Sequence, residues 1–341
     1  MGLQVPHAVS RHLRVYAVAE GTPGTYARAT AASALRVRSL DLSGGRERVA
    51  QADAQDGLDP YDMVTGRHSA NWSMVANIRP SGSAGTAPDI GPVLLAALGT
   101  ETVAGGTSVT YGLTNSQTAA SRSLSITGAY PDGTDDGPLT AMRAVLGALV
   151  AELQIVLNGS DLPQITASGP ARRYVPTGYS TISSGATSAT QAVTDVGMFN
   201  VDSVVSIDTD DNSGTGYRVT AISGSNLTLE TSVATTTSDV IRPYAPLPTL
   251  AGSILSQIVA TVTIGGTVYS VQSATLRVAN NWSLAADEAG EDEAFSDATV
   301  GRREIRLEVQ LRARRDWLIL HTNPSFATQA ITVVVGSTAG S

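Results

Sequence analysis

Hydrophobic and polar residues alternate one by one through two stretches that lie far apart in the chain. In Gly66 to Arg79, Ala70, Trp72, Met74, Ala76 and Ile78 share one parity, and Ser69, Asn71, Ser73 and Asn77 share the other. In Gly301 to Arg314, Ile305, Leu307, Val309, Leu311 and Ala313 alternate with Glu304, Arg306, Glu308, Gln310 and Arg312. Successive side chains of a strand point to opposite faces. Each stretch therefore predicts a strand of a sheet that packs on one side and meets water on the other. At roughly 3.3 Å per residue each would span about 40 Å, well past the usual strand of about 5–6 residues. Both follow one plan: a strand-like run, a polar loop, a Gly–Arg pair, then the long strand. Duplicated, one-sided strands of this length point to the wall of a barrel.

The remaining pattern predicts strands at 10–20 and 35–42, and a long polar connection over 43–65. A turn-rich linker from Pro80 to Asp89 leads to a short helix over 90–99, with Ile90, Leu94, Ala97 and Leu98 on one stripe and Gly99 placed as its C-terminal cap. Further strands are expected at 106–113, 121–130, 148–158 and 162–169, with a helical turn over 138–146. Residues 176–245 change character. They are rich in Ser, Thr, Gly and Ala and predict a small β module with strands at 198–207, 217–223 and 226–230. The first plan then returns, with a hairpin turning at Gly265-Gly266, a loop over 280–300, the long strand, a helical or irregular piece near 317–321 and a last strand at 330–335. These features divide the chain into residues 1–175, 176–245 and 246–341.

Composition narrows the chemistry. The chain has 341 residues, no Cys, and 22 basic residues that are all Arg. Thiolate metal sites, disulfides and lysine-dependent phosphate loops are excluded. The net charge of -8 disfavours a tight grip on nucleic acid. It suits a surface past which DNA slides, although solubility alone would also account for it. Met1 to Pro6 has no signal-peptide character, and no apolar run is long enough to span a membrane. The expectation is a protein made in a cytoplasm, without a membrane partner.

The order of hairpin, long loop and Gly-Arg strand resembles the tail tube proteins of long-tailed bacteriophages. So do Arg79-Pro80-Ser81-Gly82, Pro88-Asp89-Ile90-Gly91-Pro92 and the helix ending at Leu98-Gly99. The second half, with Val268 to Asn281, an acidic loop and Gly301-Arg302-Arg303, is similar to the same family. The likeness covers roughly residues 10–170 and 250–336 and leaves the module at 176–245 outside. It implies a mainly β fold, with duplicated β-sandwich or barrel domains, a short flanking helix and the small inserted module. It also implies self-assembly into stacked rings that carry viral DNA in a virion tail. Expected partners are further copies, a tape-measure protein and end-cap proteins. One tube domain per chain would give a hexamer; two per chain favour a trimer with pseudo-sixfold symmetry.

On this reading Ser69, Asn71, Ser73, Asn77, Glu304, Arg306, Glu308, Gln310 and Arg312 line the lumen; the alternative is an ordinary solvated face. Arg46, Glu47, Arg48, Asp53 and Asp56 of the first loop, with Asp287, Glu288, Glu291, Asp292 and Glu293 of the second, are candidates for contact between rings; the alternatives are a solvated loop or metal chelation. Asp208 to Gly214 has the acids of a calcium loop, but its Gly comes one place late and no Glu closes it, so it reads as a hairpin turn. The four His show no metal spacing. Asn71-Trp72-Ser73 and Asn281-Trp282-Ser283 match a glycosylation pattern by chance, and Trp72 reads as a core anchor. Nothing nominates a catalytic constellation or a cofactor. The competing class is an adhesive or carbohydrate-binding β protein, which the scarcity of Trp and Phe weakens.

Overall fold

The computed structural model describes residues 12–50, 63–114, 122–133, 137–158, 161–208, 210–254, 261–264, 266–269, 271–286, 292–311 and 331–334. The fold is mainly β. One sheet runs in the order β11 (Arg173–Thr177), β8 (Leu139–Ala148), β7 (Leu124–Pro131), β1 (Arg14–Ala19) and β2 (Ala34–Leu35). A second runs β23 (Glu304–Leu311), β20 (Val271–Ala279), β9 (Glu152–Asn158), β10 (Gln164–Ala171), β4 (Met63–Asn77) and β3 (Ser39–Ala50). The two face each other as a sandwich, and the helix α1 (Gly91–Leu98) closes the same core. That core joins Val15 and Ala17 of β1, Ile126 of β7 and Val145 of β8 to Trp72, Met74, Leu153, Ile165 and Val278 of the second sheet.

The parity read along the first long strand is the one observed. Ala70, Trp72, Met74 and Ala76 are buried, and Ser69, Asn71 and Ser73 are exposed. Trp72 anchors the core. Its indole Nε1 donates to the Leu149 carbonyl at 3.1 Å, where the chain leaves β8 in one sheet to enter β9 in the other. This crossing is buried, so its backbone groups need partners inside the protein. Leu149 N donates to Pro170 O and Ala151 N to Ser168 O. The Val150 carbonyl accepts from the Trp282 indole and from the Asn280 amide, both at 2.9 Å.

Outside the sandwich, β12 (Ser180–Ser184), β13 (Thr187–Val193), β16 (Asn226–Ala234), β15 (Tyr217–Ser223), β14 (Val204–Ile207) and β17 (Val240–Pro243) form a closed barrel. Ile182, Val205, Val219, Leu227, Leu229 and Ile241 fill it, so it is a packed core and not a channel. It is tied to the sandwich by Asn200 Nδ2 to Pro176 O at 2.7 Å, by Thr177 Oγ1 to Ser203 Oγ at 2.8 Å and by the Tyr16 hydroxyl to Pro246 O. Smaller pieces complete the fold: β5 (Gly99–Ala104) with β6 (Ser108–Leu113); β18 (Thr261–Ile264) with β19 (Thr267–Tyr269) and β24 (Ile331–Val334); and β21 (Trp282–Leu284) with β22 (Ala298–Val300).

Several expectations change. Residues 138–146 are strand β8 and not a helical turn; the segment sits between β7 and β11, and tertiary pairing overrides its mixed propensity. Of the polar connection expected at 43–65, the described residues are strand, since β3 runs to Ala50 and β4 starts at Met63; residues 51–62 lie outside the described residues. Polar residues and Gly44-Gly45 hid it. A Cβ at Gly44 would fall 2.7 Å from Tyr174 Cβ and would also strike the Ser69 carbonyl, so the glycine marks a close approach and not a turn. Gly66 consequently lies inside β4 instead of opening it. The inserted module has six strands where three were expected, because β12, β13 and β17 lie in Ser/Thr-rich sequence with weak alternation. The two long strands fall in one sheet, with β9 and β10 between the ribbons that contain them. Gly99 caps α1 as expected, with φ of 116° and its N–H bonded to Leu95 O. The piece expected near 317–321 lies outside the described residues.

Trp72→Phe keeps an aromatic side chain but removes the indole N–H that donates to Leu149 O, together with part of the buried ring. It is expected to cost about 1–3 kcal/mol, read as a lower urea midpoint at unchanged slope; an unchanged midpoint would contradict the role given to this bond.

Candidate assembly surface

The outward face of the second sheet gathers both sets of residues proposed for a lumen. Register places Asp41, Asn71 or Ser73, Ser168, Glu152, Ala279 and Glu304 along adjacent rows of one face. One step along the strands come Thr166, Gln154, Arg277 and Arg306, then Glu308 and Gln310. Ser69, Asn71, Ser73, Glu304, Arg306, Glu308 and Gln310 are exposed, and Asn77 is half-buried. Arg312 lies outside the described residues. This convergence needed the pairing through β9 and β10, which neither strand's own sequence reveals.

This face carries the carboxylates Asp41, Glu152, Glu304 and Glu308 and, between them, the guanidinium groups Arg277 and Arg306. Each guanidinium is already paired. Arg277 forms a forked contact with Glu152, Nε at 2.7 Å and Nη2 at 3.0 Å, and Arg306 Nε lies 2.9 Å from Glu308. Exposed pairs of this kind contribute little stability. Their effect is that neither Arg277 nor Arg306 is free to hold phosphate.

The two edges of this sheet are β3 and β23, each hydrogen-bonded on one side only among the described residues. All neighbouring strands are antiparallel, so with six strands β3 and β23 run in opposite senses. On β23 the apolar parity is poorly covered: Ile305 is 48% exposed and Leu307 and Val309 are half-buried. A long edge with apolar side chains, and with no proline or Lys to blunt it, is a template for another strand.

The loop candidates meet one another within the chain. Asp292 pairs with Arg46, and His68 N donates to Asp292 O at 3.1 Å. Glu293 is held by Arg172 at 3.0 Å and Arg173 at 3.5 Å. Arg173 also pairs with Asp202 of the barrel, which lies 3.7 Å from Arg218. The second loop is thus pinned against the end of the β3–β4 ribbon. Glu47 is exposed on β3, and Arg48 belongs to the same strand. Asp53, Asp56, Asp287, Glu288 and Glu291 lie outside the described residues. Of Asp208 to Gly214, residues 210–214 form a turn, in which Asp210 and Asp211 accept backbone N–H groups from Asn212 and Gly214. Among the described residues no group of three or more acidic or imidazole side chains is placed to hold a metal ion, and no helix is long and apolar enough to cross a membrane.

No family model and no curated protein matches the chain. Among solved structures, a chain from the cryo-EM structure of an extracellular contractile injection system, the PVC sheath-tube complex in its extended state, is similar over 50% of this chain and 92% of its own length. The sequence identity is 12% and the TM-score 0.30, a likeness too slight to bear on fold or function.

Two outcomes follow from this geometry. Replacing Glu152 and Glu308 together by Gln frees two guanidinium groups; the variant should retain duplex DNA at low salt and release it as salt rises, where the parent retains none, as read by a filter or mobility assay. At the ribbon junction, burial holds the His68 imidazole below its ordinary value of 6.5, Arg46 and Arg173 add to the lowering, and Asp292 opposes it. The unfolded chain then binds the proton more readily, so stability should fall as pH drops below about 6.5. His68→Gln should flatten that part of a urea-midpoint profile.

Proposed function

We propose that this chain is a structural tube subunit, which closes into rings by pairing β23 of one copy with β3 of the next and stacks those rings into a conduit. One observation carries the reading: a six-stranded antiparallel sheet whose polar face nothing among the described residues covers, and whose two edges, unpaired among those residues, run in opposite senses. A copy rotated about an axis beside that face presents β3 antiparallel to β23. The sheet then continues from chain to chain, and ring closure satisfies the edge N–H and C=O groups. The covered face keeps the helix and the second sheet outside, and the polar face looks into the bore.

The lining proposed is Ser69, Asn71, Ser73, Asn77, Glu304, Arg306, Glu308 and Gln310. Its paired charges and small net negative balance suit the passage of viral DNA without adhesion. The mechanism is geometric and needs no catalytic group or cofactor. Two tube domains per chain would favour a trimer. With both ribbons in one sheet, each chain adds a single wall segment, and we propose six chains around the axis, with the 180–243 barrel as an outer decoration. A virion tail, a tape-measure protein within the bore and end-cap proteins belong to the same reading, by the family resemblance.

Electron microscopy of purified protein tests this. Rings or tubes of uniform bore are expected, and Leu307→Pro, which removes an N–H and disturbs the edge, should leave dispersed subunits that retain their fold by circular dichroism. A parent chain that stays monomeric at every concentration would overturn the proposal.

A further inference from the structure

A cavity of about 420 Å³ lies where the barrel meets the first sheet of the sandwich. Arg14, at the start of β1, stands on one wall. Ser206 of β14, Arg242 of β17, and Asp208 and Asp211 just beyond β14 form the other. The linker over 244–247, which leads from the barrel back to the sandwich, completes the lining. Small-molecule sites span about 300–1,000 Å³ and favour such junctions between units.

The walls are held in place. Tyr244 N donates to Val204 O at 2.9 Å, and the Tyr16 hydroxyl donates to Pro246 O, so the linker is fixed to both units. A Cβ at Gly216, where φ is 70°, would fall 2.7 Å from Tyr244 Cδ1, so this glycine lets the phenol ring lie against the turn. Burial, and then Asp211, raise the Tyr244 phenol above its ordinary value, which keeps it neutral. Asp208 Oδ1 accepts from Val240 N and Asp211 Oδ1 from Gly214 N, both at 2.9 Å. Each carboxylate is thus oriented by the backbone through one oxygen. Arg14 is 7% exposed, and its Nη2 donates to Gly137 O at 3.3 Å. Arg242 is different: its Nε is buried and has no hydrogen-bond partner among the described residues, a rare condition for a buried N–H.

The charges on the walls select the class of ligand. A free anion meets Asp208 and Asp211, and a free cation meets Arg14 and Arg242. A hydroxyl group both donates and accepts, so a neutral polyol satisfies guanidinium and carboxylate groups without repulsion. Pro243 and the exposed Leu247 add apolar surface for the C–H face of a ring. We propose that this cavity binds a sugar unit, with Arg242 donating to its hydroxyl oxygens and Asp208 and Asp211 accepting from its hydroxyl groups. Recognition then rests on charged hydrogen bonds and not on an aromatic platform, so the scarcity of Trp and Phe is no obstacle. Because the walls come from both units, the ligand braces the barrel against the sandwich. The site uses neither β3 nor β23, so it stands independently of ring closure.

The test titrates the full-length chain with the methyl glycosides of glucose, galactose, mannose and N-acetylglucosamine, and with sodium phosphate, sodium acetate and glycine betaine, by calorimetry and thermal melting. At least one glycoside should bind with a Kd in the millimolar range or below and raise the melting temperature. Arg242→Met should weaken that binding by about tenfold, the scale of one lost charged hydrogen bond. Asp208→Asn keeps an acceptor for Val240 N; it should weaken the glycoside and improve acetate, because guanidinium charge is then in excess. Near-parental melting without ligand checks that both variants fold. Absence of glycoside binding at roughly 0.1 M would overturn the proposal, as would binding that both variants leave unchanged. Phosphate, acetate or betaine binding in place of the glycosides, and lost in Arg242→Met, would overturn the sugar and assign the cavity to a charged ligand.

Discussion

Backbone N–H and C=O groups that cannot reach water must find partners, and this requirement governs the interior of the molecule. Inside, the chain passes from one sheet to the other through Leu149–Ala151, where no strand neighbour can serve every group. Side chains brought from distant sequence complete the bonding: the indoles of Trp72 and Trp282 and the amide of Asn280. At the surface the outer N–H and C=O groups of β3 and β23 meet water and have no strand partner among the described residues. The sandwich is thus self-sufficient at its centre and incomplete at its flanks, as expected for a unit whose sheet extends beyond one chain.

This view separates the roles of the two β architectures. The six-stranded barrel is closed and filled by its own apolar residues, so it has no free edge and no channel. The sandwich keeps its edges and an uncovered polar face. A bore, on this account, is a property of several chains together. The salt bridges of Asp292 with Arg46 and of Glu293 with Arg172 and Arg173 hold the second loop against the sandwich, and Arg173 with Asp202 ties the barrel side to it, so that the sheet edges stand on a fixed frame.

Strict alternation made the first long strand legible, because Trp72 and Met74 bury while Asn71 and Ser73 do not. The helix was legible too, through its apolar stripe and the capping Gly99. Less of β3 could be read: Ser43-Gly44-Gly45 and the charges after them look like a loop until Tyr174 is seen packing against Gly44. β8 misled because its pairing with β7 and β11 outweighs local preference. Of the surface itself, alternation showed which residues of each strand share the exposed parity but not that the two strands join one face, which depends on β9 and β10 lying between the ribbons.

The absence of cysteine permits a direct measurement of the central claim. Ser43→Cys on β3 and Glu308→Cys on β23, introduced on separate chains, can be mixed and oxidised, together with neighbouring positions along each strand. Disulfides between chains, peaking at one register and recurring every second residue, are the result this account predicts. Cross-links that form without register preference, or only within a chain, would contradict it.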